Sequence, residues 1–396
     1  MNNTIQNISL SIGSGITPSR NNESYWNSND IPWLKTEQIG EFNIFDTNEY
    51  ISQKAKDDTN IKIWPPKTIS IAMYGEGVTR GKVSILMKNM ATNQACCNII
   101  INEKMADHCY VYYWLKNKYE QLRNLSSGVR NNLNVDIIKE FPIYLPDISI
   151  QKNVAKHLSF LDKKIENNNK INVELEKLAK TLYNYWFVQF DFPNDKDKPY
   201  RASGGKMEYN NILKRDIPRD WRIERFIDIA SITTGKEDAN FSTQNGKYKF
   251  FTCGQGVLLC DKPAFSEQAI LLAGNGDFNV KHYSGEFNAY QRTYVIIPKQ
   301  PTYYSAMFIA ASYKVSELKK GAYGSIVKFI TMGDVENITL PVSDKYAHLF
   351  EKLNVIISEI ELLKSENDEL TKLRDFMLPL LMNGQVRVNS RNAINN

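Results

Sequence analysis

Apolar side chains recur at intervals of three and four residues in two long stretches of the chain. In the first stretch, positions 158, 161, 165, 168, 172, 175, 179, 182 and 186 hold Leu, Leu, Ile, Asn, Asn, Leu, Ala, Leu and Trp. The second stretch, 353–381, holds Leu, Ile, Ile, Leu, Asn, Leu, Arg, Met and Leu at the corresponding positions. This spacing is sustained over roughly four heptads, which predicts two long helices, each with a coiled-coil seam.

The two stretches are copies of one another. A shift of 195 residues superimposes 158–186 on 353–381 without a gap. Asn172 and Asn367 fall on the same seam position, where a buried asparagine costs stability but fixes the register of a helix pair. We therefore predict that the two helices pack on each other within one chain and that these asparagines set their alignment. The identical pairs are Leu158/Leu353, Ile165/Ile360, Glu166/Glu361, Asn172/Asn367, Glu174/Glu369, Leu175/Leu370, Lys177/Lys372 and Leu178/Leu373.

A third apolar position widens the seam beyond what two helices need. Leu178 and Leu373 occupy it, and the first copy ends in the aromatic stretch YNYWFVQFDF at 183–192. Two interpretations remain open. The side chains complete the protein's own core, or they receive helices of a partner subunit. The candidates for partner contact are Leu178, Tyr185, Trp186, Phe187, Leu373 and Leu380.

Each long helix follows a region of mixed pattern. Short β-rich runs such as TISIAMYGEG (68–77) and AILLAGNGDF (269–278) are separated by Gly, Asn and Pro, which predicts a twisted, mainly antiparallel sheet. The stretches 110–122 and 302–320 have the spacing of amphipathic helices. The predicted fold class is α+β, with two mixed α/β domains and two long helices that form an intramolecular coiled coil. The expected boundaries are a first domain at 1–146, a helix at 147–192, a linker at 193–216, a second domain at 217–341, a helix at 342–384 and a flexible tail at 385–396.

Composition narrows the class of protein only slightly. The 49 basic and 44 acidic side chains give a formal net charge of +5, which permits a nucleic-acid partner without demonstrating one. The five cysteines include a vicinal pair but no C-x-x-C spacing, so we expect free thiols in a reducing compartment. The sequence shows neither a signal peptide nor a membrane-spanning apolar run, and we expect a cytoplasmic protein without a membrane partner.

The sequence also lacks the motifs of a catalytic centre. EGVTRGKV (76–83) resembles a phosphate-binding loop, but Glu replaces its first glycine and Val replaces the Ser or Thr that would hold Mg²⁺. WPPK (64–67) lacks the Asn or Asp that begins the Pro-Pro motif of amino-methyltransferases. The four histidines, at 108, 157, 282 and 348, are too scattered for a metal cluster. We expect a chain that is not an enzyme and that binds no metal or cofactor itself.

Candidate nucleic-acid contacts cluster in the loops that follow the glycine turns. Arg and Lys pair with guanine edges or phosphates, and Asn and Gln pair with adenine in the major groove. Lys281 and Lys328 suit phosphates equally well, and Gln94 and Gln291 occupy equivalent places in the two copies. The competing interpretation is a set of exposed polar loop residues without a role. The candidates are Arg80, Lys82, Asn93, Gln94, Arg130, Asn131, Asn275, Lys281, Gln291, Arg292 and Lys328.

Five stretches, together with the duplicated layout, carry a family likeness. They are GSGITPS (13–19), YWNSNDIPW (25–33), FPIYLPDISIQKNVAKHLSFLDKKIE (141–166), SGGKMEYNNILKRDIPRDW (203–221) and LTKLRDFMLPLLMNGQV (370–386). The chain resembles the specificity subunit of type I restriction–modification systems. The resemblance implies that each mixed domain is a target recognition domain that reads one half of a bipartite, asymmetric site on double-stranded DNA. It also implies that the long helices pair antiparallel, set the half-site spacing and dock two methyltransferase subunits.

Further partners follow from the same resemblance. It implies two restriction or translocase subunits beside the methyltransferases, and it places S-adenosylmethionine, ATP and Mg²⁺ on those partner subunits. The residues, considered without the resemblance, leave two other functions possible. One is a coiled-coil scaffold that joins two protein-binding modules without DNA contact, and the other is a piece of a methyltransferase enzyme.

Overall fold

The chain divides into two units, each of which takes a part of both long helices. The structure is a computed structural model that describes residues 3–75, 78–125, 133–321 and 329–386. Unit 1 comprises the residues up to 167 together with those from 366 onward, and unit 2 comprises 168–365. Unit 1 is therefore assembled from both ends of the chain.

The domain of unit 1 contains a five-stranded sheet, a three-stranded sheet and a two-stranded pair. Its strands are β1 (Asn3–Thr4), β2 (Ser9–Ser14), β3 (Ile31–Leu34), β4 (Asn43–Ile44), β5 (Glu49–Ile51), β6 (Ile69–Ala72), β7 (Val83–Leu86), β8 (Ala91–Thr92), β9 (Cys96–Ile101) and β10 (Pro142–Ile143). The larger sheet has the order β2-β9-β6-β7-β4, the smaller has the order β5-β3-β8, and the two-stranded pair is β1 with β10. The mostly apolar runs that form β6, β7 and β9 are buried at nearly every residue, because the larger sheet is covered on both faces there.

Short helices complete the domain of unit 1. They are α1 (Gln53–Thr59), α2 (His108–Asn117), α3 (Tyr119–Asn124) and α4 (Val135–Lys139). The prediction of a helix at 110–122 is confirmed, but the expected solvent-facing side is missing in α2, where every residue from Tyr110 to Leu115 is buried. These residues share one core with Ile71 of the sheet and with Leu158 and Leu378 of the long helices, so α2 is covered from more than one direction.

The domain of unit 2 contains a six-stranded sheet and two two-stranded pairs. Its strands are β11 (Met207–Asn210), β12 (Arg215–Pro218), β13 (Arg222–Arg225), β14 (Ala230–Thr234), β15 (Tyr248–Phe251), β16 (Val257–Cys260), β17 (Phe265–Ala273), β18 (Val280–Ala289), β19 (Thr293–Pro298) and β20 (Thr339–Val342). The six-stranded sheet has the order β14-β19-β17-β18-β15-β16, and only the β15–β18 pair is parallel among its described strands. The two-stranded pairs are β11 with β12 and β13 with β20. The prediction of mainly antiparallel sheets is confirmed. Its helices outside the long pair are α6 (Phe226–Ile229), α7 (Tyr304–Gly321) and α8 (Met332–Glu336).

The two long helices are α5 (Ile148–Tyr183), which a π-helical turn extends over Asn184–Val188, and α9 (Ala347–Met382). All seam positions of the two predicted stretches are buried or half-buried, so the predicted coiled coil is confirmed. Neither these nor the other helices of the described ranges have the length and apolar character needed to cross a membrane.

Two ion pairs in unit 1 show that the long helices run antiparallel there, and a third pair joins them in unit 2. A step toward the carboxyl end of α5 is matched by a step toward the amino end of α9. The pairs are Asp162–Arg374 at 2.6 Å and Lys164–Glu366 at 2.8 Å in unit 1, and Glu176–Lys364 at 3.4 Å in unit 2.

The stretch 193–216, predicted to be a linker, is folded. Strands β11 and β12 form a hairpin at its end, and Tyr200, Met207 and Leu213 pack against the core of unit 2. The few apolar residues of this polar stretch give no periodic signal, so the sequence alone indicated a linker.

Candidate nucleic-acid interface

The two predicted glutamines lie at matching places in the two sheets. Gln94 stands two residues before β9 and Gln291 two residues before β19, and each of those strands pairs with the first strand of its sheet. Both side chains are exposed and bond to the loop after that first strand. The Thr17 hydroxyl donates to Gln94 Oε1, and Gln291 Nε2 donates to Asp238 Oδ1 over 2.7 Å. The two loops thus present one amide side chain each at corresponding positions.

A glycine in each of those loops allows a close backbone approach. A Cβ atom at Gly15 would lie 1.9 Å from the Thr92 carbonyl oxygen, and one at Gly235 would lie 2.0 Å from the Ala289 carbonyl oxygen. No other residue fits at such distances. The loop after the first strand therefore presses on the backbone just ahead of each glutamine and fixes where its amide is presented.

The residues next to the two glutamines, Asn93 and Arg292, differ in the groups that they can present to a ligand. Asn93 Oδ1 accepts a hydrogen bond from the backbone N–H of Ala95 over 3.1 Å, so this side chain shapes its own turn. Arg292 is exposed and its guanidinium makes no ion pair within the described part of the chain. Unit 2 therefore offers an amide and a cation side by side, whereas unit 1 offers the Gln94 amide beside a turn-forming asparagine.

Arg80 and Lys82 lie in the turn between β6 and β7 and are both half-buried. Gly81 between them has a φ of +87°, a conformation that favours glycine. Lys82 lines a groove of about 700 Å³ in unit 1, together with Lys116 and Lys118. The basic side chains of this groove suit a phosphate better than a base edge.

Lys281 is engaged inside unit 2. Its ammonium group donates to the carbonyl oxygens of Gly254 at 2.5 Å and Thr252 at 3.3 Å and to Asn279 Oδ1 at 2.7 Å, and burial lowers its pKa. These bonds hold the turn between β15 and β16. The structure therefore gives Lys281 a structural role, and its predicted contact with a phosphate is not supported.

For the remaining loop candidates, the structure gives little evidence about contact with a ligand. Asn275 is half-exposed in the turn that follows β17. Arg130, Asn131 and Lys328 lie outside the described residues. Among the described candidates, Gln94, Gln291 and Arg292 are the residues with exposed side chains.

The predicted partner-contact residues separate into two groups. Trp186 and Phe187 are 6% and 1% exposed and belong to the core of unit 2, where the Phe187 ring lies 4.7 Å from that of Phe350. The prediction that these two contact a partner is wrong, because the π-helical turn after α5 carries its rings into the domain. The others stay candidates: Leu178, Tyr185 and Leu373 are exposed, and Leu380 is half-buried.

Apolar side chains that sequence reasoning missed are more exposed than any of these, and two of them are equivalent under the repeat. Phe160 on α5 is 67% exposed and Val355 on α9 is 70% exposed. They lie outside the heptad seam but at matching positions of the repeat, since the shift of 195 residues carries one onto the other. A comparison of apolar positions outside the seam would have found them.

A polar cluster ties α2, α5 and α9 together in unit 1. The Asp162 carboxylate, whose side chain is 4% exposed, accepts 2.6 Å hydrogen bonds from the Tyr113 hydroxyl and from the Arg374 guanidinium. Burial lowers the pKa of Lys116, whose Nζ lies 3.9 Å from the same carboxylate. One buried carboxylate thus compensates a guanidinium and, at longer range, an ammonium group.

The two register asparagines have different surroundings. Asn172 in unit 2 is 5% exposed, and its side-chain oxygen accepts no hydrogen bond in the described part of the chain. Asn367 in unit 1 is half-buried. A buried amide oxygen without a donor costs stability. The role of both residues in setting the register stays a prediction.

The fold and these surfaces define a protein with two unlike recognition modules carried on antiparallel helices. A family model described as "Type I restriction modification DNA specificity domain" matches residues 8–177 and 218–372, which is more than half of the chain. The chain belongs to this family.

Individual relatives agree with the family assignment. The type I restriction enzyme EcoDI specificity subunit of Escherichia coli is 34% identical over 188 residues, which are 46% of this chain and 42% of the relative. The MjaIX specificity subunit of Methanocaldococcus jannaschii is 27% identical over 421 residues, with 95% of this chain and 91% of the relative covered. The chain thus matches less than half of the first relative's length and about nine-tenths of the second's. A crystal structure of a type I restriction–modification S subunit from M. genitalium has the same fold, with a TM-score of 0.61 at 18% identity over 96% of this chain and 95% of that one.

Proposed function

We propose that this chain is the DNA-sequence specificity subunit of a type I restriction–modification complex. Specificity subunits of these systems are non-catalytic. The observation that carries the proposal is that the family match covers both halves of the chain, 8–177 and 218–372, so that each half supplies one recognition domain. Each domain reads one half of a bipartite site, and the paired helices set the spacing between the halves.

The exposed loop residues supply the chemistry of base reading. A glutamine amide pairs with the N6 and N7 edge of adenine, and an arginine pairs with O6 and N7 of guanine in the major groove. Gln94 serves the domain of unit 1, and Gln291 with Arg292 serves the domain of unit 2. Because the side chains offered by the two loops differ, the two half-sites differ and the whole site is asymmetric.

Exposed apolar residues on the helices supply a docking surface for each methyltransferase subunit. Unit 1 presents Phe160 and Leu373, and unit 2 presents their repeat equivalents Val355 and Leu178. The members of each equivalent pair are exposed to nearly the same extent, 67% and 70% for the first pair and 45% for both members of the second. One surface per unit means two methyltransferase subunits per chain.

Substitutions on the two surfaces test this stoichiometry. Leu373→Glu removes one methyltransferase from the complex, Leu178→Glu removes the other, and the double variant removes both, as native mass spectrometry reports directly. Lys372→Glu, at an exposed neighbouring position, is the matched control and keeps both subunits. A full complement on the double variant would place the docking surface elsewhere.

The assembled complex completes the activity. The methyltransferase subunits hold S-adenosylmethionine, and two restriction or translocase subunits hold ATP and Mg²⁺. The complex acts in the cytoplasm on double-stranded DNA.

DNA binding in the presence of the methyltransferase subunit tests the proposal. We expect specific binding whose affinity falls steeply with salt, because phosphate contacts release counterions. Gln94→Ala and Gln291→Ala each lower the preference for the specific site by about 1–3 kcal/mol. A chain that assembles with protein partners but leaves duplex DNA unbound at low salt would instead be a coiled-coil scaffold with two protein-binding modules.

A further inference from the structure

Two glutamates at equivalent positions of the repeat, one in each unit, join the recognition domains to the long helices. Glu166 on α5 and Glu361 on α9 are identical residues under the shift of 195. Each carboxylate accepts hydrogen bonds from residues in the domain of its own unit. Their bonding partners are unlike, so the carboxylate is the feature that the two units share.

In unit 1, Glu166 accepts hydrogen bonds from both the backbone and the side chain of one residue, Asn43, at the edge of the sheet. Its Oε1 accepts from the backbone N–H of Asn43 and its Oε2 from the Asn43 side-chain amide, each over 3.0 Å. Asn43 is 7% exposed and begins β4, the edge strand of the five-stranded sheet. The N–H group of a buried edge strand needs an acceptor, and this carboxylate supplies it.

In unit 2, Glu361 reaches both a strand and a helix of the domain. Its Oε1 accepts from His282 Nδ1 at 2.7 Å and from the Tyr304 hydroxyl at 2.9 Å. His282 lies in β18, and its ring packs 4.5 Å from that of Phe308. Tyr304 is the first residue of α7. One carboxylate oxygen thus fixes two elements of the domain to α9.

We propose that Glu166 and Glu361 are positioning residues that hold each recognition domain in one orientation on the helices and thereby set which half-site spacing is accepted. The inference rests on the proposed function. Charge-assisted hydrogen bonds are short and directional, so they define an orientation better than apolar packing does. Loss of a carboxylate leaves the domain attached by its apolar core but free to tilt.

The chain contains a matched control for each residue. Glu174 and Glu369 are also identical under the repeat and lie on the same two helices. Their carboxylates are exposed and, among the described residues, bond to Lys177 at 2.7 Å and Lys372 at 2.9 Å, each three residues along the same helix. Substitution at these positions changes helix charge without touching a recognition domain.

Glutamine variants give a second, sharper comparison. Glu361→Gln keeps its function, because a single amide oxygen can accept both bonds that Oε1 accepts now. Glu166→Gln loses its function, because the new NH₂ group faces a donor of Asn43 where an oxygen was needed. The same Glu→Gln change is thus expected to have opposite effects at the two positions. This comparison still tests the inference if an alanine variant folds poorly.

The experiment measures the spacing preference of the full chain assembled with its methyltransferase. Duplexes carry the mapped half-sites at the native spacing and at spacings one base pair shorter and longer. We expect Glu166→Ala, Glu361→Ala and Glu166→Gln to lower discrimination against the altered spacings about tenfold, whereas Glu361→Gln, Glu174→Ala and Glu369→Ala match the wild type.

Two results would overturn the inference. One is an unchanged spacing preference in the alanine variants, and the other is an equal loss of affinity at all three spacings, which indicates general destabilisation. A wild-type complex that binds no bipartite site would instead contradict the proposed function, so the two failures are distinguishable.

Discussion

At the scale of single residues, the buried amide of Asn172 is expected to lower the stability of the helix pair while it sets the register. Its side-chain oxygen is buried without a donor in the described part of the chain, whereas Asn367 is half-buried. Asn172→Leu should therefore raise the free energy of unfolding by about 1 kcal/mol in urea titrations, and Asn367→Leu should change it less. The double variant should also accept a wider range of half-site spacings. A lower stability of Asn172→Leu would mean that the amide is satisfied in solution.

The carboxyl group of Glu361 should make the stability of the protein depend on pH. Burial raises its pKa, but the hydrogen bond and charge of His282 and the bond from Tyr304 outweigh burial and leave the pKa below its ordinary value of 4.5. A carboxyl whose pKa is lower when folded stabilises the protein above its unfolded pKa, and this stabilisation is lost as the pH falls through the folded pKa. The stability difference between wild type and Glu361→Gln should therefore shrink as the pH falls through the ordinary carboxyl value of 4.5 and on through the lower folded pKa. A constant difference in urea titrations across this range would contradict the assignment.

Residue identity predicted the exposed glutamines but not which neighbours are free to bind. Gln94 and Gln291 precede matching strands, which the alignment of the two copies already indicated. Lys281 carries the same charge as a phosphate contact, yet its ammonium group holds three oxygens of its own unit. Such competition arises from the fold and has no signature in the local sequence.

At the scale of elements, the long helices carry different chemistry at equivalent places. The ion pair of Asp162 and Arg374 in unit 1 corresponds, under the repeat, to Ile357 and Ala179, which are buried in the core of unit 2. A helix paired with a second copy of itself would place Asp162 opposite an alanine or Arg374 opposite an isoleucine. The buried charges therefore favour pairing between α5 and α9.

A double-substitution cycle tests this interpretation. Asp162→Ile and Arg374→Ala alone should each cost about 3 kcal/mol of unfolding free energy, because each leaves a buried charge unpaired. The double variant copies the pair of unit 2 and should recover most of that loss, less the bond from Tyr113. Strictly additive losses in denaturant titrations would show that the two side chains are not coupled.

Heptad spacing predicted the helices well because it reports burial along one element. It did not predict the burial of Phe187, which lies outside the seam, because a π-helical turn at the end of α5 changes the periodicity there. The amphipathic pattern of 110–122 likewise predicted a solvent-exposed face for α2, although residues 110–115 are covered by the sheet and by the long helices. Both differences come from tertiary packing, which a pattern within one segment does not contain.

At the scale of the whole molecule, two copies of one plan carry different recognition loops. Replacing residues 1–146 with the corresponding domain of another specificity subunit should change one half of the recognised site and leave the other half intact. Methylation mapping of the hybrid reads both halves at once. A change in both halves would contradict independent reading by the two domains.

The duplication itself was visible in the sequence, but the way the chain shares its helices was not. Residues from 366 onward complete the unit that begins at the amino end, with Leu378 and Leu381 in the same core as Tyr110. The heptad pattern predicted that the two helices pair, but it does not show which globular domain each end of a helix packs against.

A map of DNA methylation in host cells that contain the methyltransferase, with and without this chain, tests directly whether the chain selects the DNA sequence. We predict one bipartite motif with unlike halves at a fixed spacing, methylated only when the chain is present. Identical methylation in both strains, or a single uninterrupted motif, would contradict it.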